Sequence, residues 1–96
     1  MTYQSDEWEQ RYRKNPNYRN HWPYQEVVAF LARSISEFQI KPKLLEVGCG
    51  SGNNLLAADA LGYDCHGIDA SETIVRYALN FLEKKNIQAN LKPAEF

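Results

Sequence analysis

Two acidic residues and three alternating glycines in the middle of this chain could form a site for a small polar ligand. Gly48, Gly50 and Gly52 stand at every second position, where a missing side chain lets a ligand approach the backbone and permits positive φ. Glu46 stands two places before the first glycine, and Asp69 follows about 20 residues after it, the spacing at which a strand–helix–strand unit brings an acid to ribose hydroxyls. Two carboxylates beside a bare loop suit a positively charged nucleoside.

Alternating strands and helices must position these residues. The apolar run 43–47 lies between Pro42 and Gly48, as expected of a covered parallel strand. Hydrophobic spacing and turn residues predict further strands at 64–68 and 89–92 and helices at 5–14, 23–38, 53–61 and 71–85. Asn53 and Asn54 open the helix after the glycine loop, where they could contact the ligand or cap the helix.

The glycine spacing distinguishes between two ligand classes. The dinucleotide pattern G-x-G-x-x-G would need a glycine at position 53, where this chain has Asn53. The observed pattern, E-x-G-x-G-x-G from Glu46 to Gly52, resembles the first motif of class I S-adenosylmethionine (SAM)-dependent methyltransferases. A carboxylate is a poor neighbour for a pyrophosphate and a good one for an ammonium and a sulfonium. Nicotinamide or flavin binding is the alternative, and it predicts affinity for NADH.

The resemblance implies a fold, a cofactor and a set of contacts. The fold is α/β: a Rossmann-like three-layer α/β/α sandwich, here its N-terminal half, with parallel strands in the order 3-2-1 and helices on both faces. The cofactor is SAM, with Glu46 at its amino group, the glycine loop at its methionine part and ribose, Asp69 at the ribose hydroxyls and Ala70 against the adenine. The residues assigned to cofactor binding are Glu46, Gly48, Cys49, Gly50, Gly52, Asp69, Ala70, Glu95, Tyr18 and Arg19.

The chain divides into an N-terminal segment, 1–22, and an α/β core, 23–96, within one partial domain. Trp8 and Tyr12 share a face of the first predicted helix. The resemblance implies that they form an aromatic flap over the cofactor, and the alternative is an ordinary docking surface. The resemblance also implies that the following loop contacts the methionine carboxylate or the methyl acceptor. The planar fork of Arg19 could then bind the carboxylate, and Tyr18 or His21 could assist catalysis. Anchoring of the loop is the alternative for each, and no catalytic residue is assigned.

Composition limits the remaining possibilities. The net charge of −1 gives no electrostatic argument for nucleic acid, and no run is apolar enough for a membrane span. Two cysteines without a C-x-x-C spacing indicate a reducing, cytoplasmic setting. We therefore expect a SAM-dependent methyltransferase, or its cofactor-binding fragment, acting on a small-molecule acceptor. A non-catalytic SAM-fold module or regulatory subunit is the alternative.

One strand edge is expected to lack a neighbour. In a doubly wound sheet, the ligand crevice lies between strand 1 and strand 4, and a fourth strand would fall after residue 96. Strand 1 would then present an apolar, unpaired edge, which is unfavourable in water. A missing C-terminal half or a second copy of the chain, as a homodimer, could cover it, and truncation is the favoured explanation.

Overall fold

The computed structural model describes residues 3–14 and 22–95 and contains four helices and three strands. The helices are α1 (Tyr3–Lys14), α2 (Gln25–Ser34), α3 (Asn53–Leu61) and α4 (Glu72–Lys84), and a short 3-10 turn, Ile35–Glu37, follows α2. The strands are β1 (Lys43–Val47), β2 (Asp64–Asp69) and β3 (Asn90–Pro93). The alternation of strand and helix from β1 onwards is the one predicted from the sequence.

The strands form one parallel sheet in the order β1-β2-β3. Leu44 lies beside Cys65, and Gly67 lies between Glu46 and Leu91. The predicted order 3-2-1 and the parallel direction are therefore confirmed. This order brings the carboxyl ends of β1 and β2 side by side, which places the glycine loop next to Asp69.

The predicted arrangement of the helices is wrong in one respect. Within the described residues, α2, α3 and α4 contribute to a single core on one face of the sheet instead of covering both faces. Leu45 and Val47, on the opposite face of β1, are 61% and 53% exposed. The reason is topological: both right-handed crossovers step in the same direction along the sheet, so α3 and α4 must lie on the same side.

The core explains why these segments are helical. Helices α2, α3 and α4 each present small or aliphatic side chains to the covered face of the sheet, whose most buried residue is Cys65 at 1% exposure. The buried members of the core are Leu31, Cys49, Leu55, Ala58, Tyr63, Cys65, Val75, Ala78, Leu82, Ile87 and Leu91. Tyr63 also donates its hydroxyl to the Leu31 carbonyl at 2.9 Å, which fixes α2 on the core.

Two helices differ in length from their predictions. The first begins at Tyr3, before the predicted residue 5. The second was predicted over 23–38 but ends at Ser34, and Phe38, expected on its apolar stripe, is 50% exposed. The Ser34 hydroxyl donates to the Phe30 carbonyl and the Ser36 hydroxyl to the Arg33 carbonyl. Serine hydroxyls that bond nearby carbonyls in this way weaken a helix, which accounts for the early end.

Candidate functional site

The glycine loop bends sharply after β1 and is held against the end of β2. Gly48, Gly50 and Gly52 have φ values of 75°, 55° and 91°, in a region that residues with a Cβ rarely adopt. The backbone N–H groups of Gly48 and Cys49 both donate to the Ile68 carbonyl, at 2.8 and 3.0 Å. All three glycines are therefore needed for the shape of the loop itself.

The N–H groups of the three glycines are already used within the chain. The Gly50 N–H donates to Asp69 Oδ2 at 2.9 Å, and the Gly52 N–H donates to the Cys49 carbonyl at 3.1 Å. The Gly48 N–H is taken by β2, as described above. What these three glycines offer a ligand is therefore a surface without side chains, and the Glu46 and Asp69 carboxylates are acceptors beside it.

Asp69 connects the loop to the start of α4. Its side chain is buried at the end of β2, with Oδ2 accepting from the Gly50 N–H and Oδ1 accepting from the Ser71 N–H at 3.0 Å. A carboxylate oxygen can accept two hydrogen bonds, so each oxygen retains one acceptor position. Asp69 is thus oriented by the backbone and still able to receive two hydroxyl groups.

Glu46 has one oxygen without a partner. Its Oε2 accepts from Asn54 Nδ2 at 2.8 Å, whereas Oε1 is buried with no hydrogen-bond partner among the described residues. Burial raises the pKa of the Glu46 carboxyl, the Asn54 bond opposes the rise, and the negative charge of Asp69 adds to it. A buried carboxylate with an unused acceptor atom beside a second carboxylate is a favourable place for a cation.

Asn54 performs a task that the sequence did not indicate. Besides donating to Glu46, its Oδ1 accepts the backbone N–H of Tyr24 at 2.9 Å. The capping role considered for this residue is not observed, because the N-cap of α3 is Gly52, which makes no side-chain cap bond. Its neighbour Asn53 donates to the Ser51 hydroxyl at 3.1 Å.

Cys49 belongs to the packing under the loop. It is 6% exposed, and a Cβ added at Gly67 of β2 would lie 2.9 Å from the Cys49 Cβ. Gly67 therefore leaves the space that Cys49 fills. Burial, with the negative charges of Asp69 and Glu46 adding to it, raises the pKa of the Cys49 thiol to about 12. Cys49 is thus a neutral, buried neighbour of the candidate site.

Two further predicted residues lie at the same edge of the sheet. Ala70 follows Asp69 directly and is 8% exposed. Glu95 is exposed just beyond β3, where the Ala94 N–H donates to the Asp69 carbonyl at 2.9 Å. The described structure thus brings Glu46, Cys49, the three glycines, Asp69, Ala70 and Glu95 to one end of the sheet.

The predictions for the N-terminal segment are only partly covered by the structure. Tyr18, Arg19 and His21 lie outside the described residues, and so do the side chains of Trp8 and Tyr12. Their assigned roles remain predictions.

A buried glutamate in α1 was missed by the sequence analysis. The Glu9 carboxylate accepts from the hydroxyls of Ser71 and Thr73, both at 2.5 Å, from the Thr73 N–H at 3.3 Å and from Arg13 Nε at 2.7 Å. Burial alone would raise the pKa of Glu9, but these hydrogen bonds outweigh it and lower the pKa to about 2. Glu9 therefore fastens α1 to the N-terminus of α4, next to Asp69. Nothing local in the sequence marks a contact between residues so far apart.

The part of the chain that the structure describes contains neither a metal-binding cluster nor a membrane-spanning helix. No group of three potential metal ligands occurs among the described residues, and His66 Nε2 contacts Asp64 Oδ2 at 3.2 Å. Within the same residues, no helix has the length and apolar character needed to cross a membrane.

Comparison with known families identifies the class of this protein. Residues 45–96, more than half of the chain, match the family described as methyltransferase domain. The chain therefore belongs to the methyltransferase domain family, which confirms the resemblance to class I SAM-dependent methyltransferases. No match was found among curated protein sequences.

Solved structures agree on the fold. One, from work on the conversion of a disulfide bond into a thioacetal group during echinomycin biosynthesis, has a TM-score of 0.74 and 26% identity over 95% of this chain and 40% of that chain. The plantazolicin methyltransferase BpumL, with bound S-adenosylhomocysteine (SAH), has a TM-score of 0.55 and 26% identity over 73% of this chain and 27% of that one. A SAM-dependent methyltransferase from Thiobacillus denitrificans, also with SAH, gives 0.61 and 24% over 82% and 33%. This chain thus spans less than half the length of each.

Proposed function

We propose that this chain binds SAM at the carboxyl ends of β1 and β2 and forms the cofactor-binding part of a methyltransferase acting on a small-molecule acceptor. The observation that carries the proposal is the buried Glu46 carboxylate, whose Oε1 lacks a partner among the described residues while Asp69 stands nearby. A cationic ligand would relieve both the unsatisfied oxygen and the repulsion between the two carboxylates.

SAM fits this donor and acceptor set. Its amino group would donate to Glu46 Oε1, and its ribose hydroxyls would donate to the remaining acceptor positions of Asp69. The surface of Gly48, Gly50 and Gly52, which carries no side chains, would allow the nucleoside to lie against the backbone. Ala70 supplies a small apolar contact for the adenine, and Glu95 is proposed beside the adenine amino group.

The chemistry asked of the residues in this site is binding and orientation. When bound, SAM supplies an electrophilic methyl group on its sulfonium. Glu46 and Asp69 hold the two ends of the nucleoside, so the methyl group has a defined direction, and positioning of this kind accounts for much of the acceleration in group transfer. No described residue is assigned as a general base, and the roles proposed for Tyr18, Arg19 and His21 rest on the family resemblance.

The nature of the acceptor is proposed from charge and from the family. A net charge of −1 gives no electrostatic attraction for nucleic acid, which leaves a small molecule as the proposed acceptor. The two free, buried cysteines support the cytoplasm as the proposed location.

Calorimetric titration with SAH and with NADH tests the proposal, because SAH needs no acceptor. We expect binding of SAH and no binding of NADH at millimolar concentration. Asp69→Asn should weaken SAH by about 2 kcal/mol, or roughly 30-fold, because it removes charge-assisted bonds to the ribose.

Asp64→Asn is the matched control, since it makes the same charge change at the opposite end of the same strand. It should leave SAH affinity unchanged, and thermal unfolding should show that both variants are folded. Equal affinities for the wild-type protein and Asp69→Asn would contradict the ribose assignment. Preference for NADH would contradict the proposed cofactor.

A non-catalytic module is the second candidate, favoured by the open side of the sheet. Leu45 and Val47, on the uncovered face of the sheet, are more than half exposed. Strand β1 is also an edge strand, with β2 as its one neighbour among the described strands. Edges and faces of this kind usually pair with further chain or with a partner. We propose that the remainder of a longer protein or a second copy covers β1. Binding of SAH without methyl transfer, together with a dimeric mass in light scattering, would favour the module.

A further inference from the structure

The Asn54 side chain joins three elements around Glu46. It projects from the first turn of α3, donates through Nδ2 to the Glu46 carboxylate at the end of β1, and accepts through Oδ1 from the backbone N–H of Tyr24. Tyr24 is the N-cap residue of α2. One amide group therefore connects the start of α2 with the carboxylate proposed to bind the cofactor.

The direction of these bonds is chemically specific. A side-chain amide has both a carbonyl acceptor and N–H donors. The Tyr24 N–H group needs the acceptor, and the Glu46 carboxylate needs a donor. An aspartate at position 54 would keep the acceptor for Tyr24 but lose the donor to Glu46. A leucine would lose both bonds.

We propose that Asn54 is a positioning residue that orients the Glu46 carboxylate toward the amino group of the cofactor while anchoring the start of α2. The inference rests on the proposed function and goes beyond it. Because Asn54 holds Oε2, Oε1 is left as the acceptor for a ligand. The same bond lowers the pKa of the Glu46 carboxyl, which a residue that only caps α3 would not do.

The surroundings of Glu46 explain why this donor matters. Among the described residues, the titratable groups that interact with it are the Asp69 carboxylate at the end of β2, the Cys49 thiol of the glycine loop and the Cys65 thiol within β2. Burial raises the pKa of both thiols, so they are neutral at physiological pH, and Asp69 repels a second negative charge. The hydrogen bond from Asn54 is the one described for the Glu46 carboxylate, and it favours the ionised form.

Asn54→Asp is the direct test, because it changes the size of the side chain very little. Two facing carboxylates cannot both ionise easily, so the pH at which Glu46 loses its proton should rise by at least about one unit. The loss of SAH affinity at low pH should move upward by the same amount. At neutral pH, SAH should bind about tenfold more weakly or worse. The measurements are SAH titrations between pH 5 and 8, with ¹³C NMR titration of the Glu46 carboxyl.

Two further variants separate positioning from stability. Asn90→Asp adds the same charge on an exposed residue of β3 and should leave the pH profile unchanged. The double variant Glu46→Gln/Asn54→Asp exchanges donor and acceptor and so restores the hydrogen bond. We expect it to recover the thermal stability lost in Asn54→Asp without recovering SAH affinity, because residue 46 is no longer charged.

The outcomes distinguish this inference from the proposed function. Wild-type binding of SAH with an unchanged pH profile in Asn54→Asp overturns the role of Asn54 alone. Failure of the wild-type protein to bind SAH overturns the proposed function, and this inference with it. An upward shift in Asn54→Asp, with none in Asn90→Asp, supports both.

Discussion

Replacing Glu9 by glutamine tests whether a buried carboxylate fastens α1 to α4. Glu9 accepts four hydrogen bonds, three of them from Ser71 and Thr73 at the start of α4. A glutamine keeps a single acceptor oxygen and places an N–H₂ group where donors already point. The variant should therefore destabilise the native state through both lost charge and mismatched donors.

The pKa of Glu9 sets the scale of the effect. Lowering it from 4.5 to about 2 corresponds, at about 1.4 kcal/mol per unit, to an upper limit of about 3 kcal/mol at neutral pH. Because glutamine retains part of the bonding, we expect a loss of about 2 kcal/mol in the free energy of unfolding. For a domain of this size, that is a fall of roughly 10 °C in the melting temperature.

The pH dependence provides a second signature. A carboxyl whose pKa is lowered on folding stabilises the native state above its unfolded pKa, and this contribution disappears as the pH falls through the folded value. The stability difference between wild type and Glu9→Gln should thus be full at pH 7 and shrink between about pH 5 and pH 2. Urea unfolding followed by circular dichroism over this range measures it.

Glu7→Gln is the matched control in the same helix. Glu7 makes a 3.5 Å ion pair with Arg11 in which both side chains are largely exposed, at 51% and 43%, so its replacement should cost less than about 0.5 kcal/mol. If Glu9→Gln and Glu7→Gln lower stability equally, or if the difference for Glu9→Gln does not change with pH, the reasoning about Glu9 is wrong.

Two further predictions concern packing beneath the loop. Gly67→Ala should cost about 1–3 kcal/mol in unfolding free energy, because its Cβ would lie 2.9 Å from both Cys49 and Leu91; an unchanged urea midpoint would contradict this packing. Burial raises the pKa of Cys49 to about 12 and that of Cys65 to about 11, so both thiols should react with a disulfide reagent at pH 8 only as fast as the protein unfolds. Rapid labelling of folded protein would show that one of them is accessible.

The sequence predicted those features that depend on local pattern. Strand β1, the glycine turn and the helix after it follow from an apolar run and three glycines, and the positive φ values of Gly48, Gly50 and Gly52 agree with that analysis. The strand order follows from the handedness of the crossovers. The same rule also places α3 and α4 on one face of the sheet, although helices were expected on both faces.

Other features depend on distant side chains and left no local signal. Glu9 reaches Ser71 and Thr73 across most of the chain, and the side chain of Asn54 bonds Tyr24 and Glu46 instead of capping α3. From the sequence alone, a short polar side chain at the start of a helix is equally consistent with capping and with a long-range hydrogen bond. Only the packing of three elements decides between them.

An NMR titration with SAH tests the central claim most directly: that the loop between β1 and α3 is a cofactor site. In ¹⁵N-labelled protein, the amide signals of Gly48, Gly50 and Gly52 should shift on addition of SAH. Gly62, which also has positive φ but lies at the opposite end of α3, should not shift. Unchanged loop signals, or shifts concentrated around Gly62, would contradict the account.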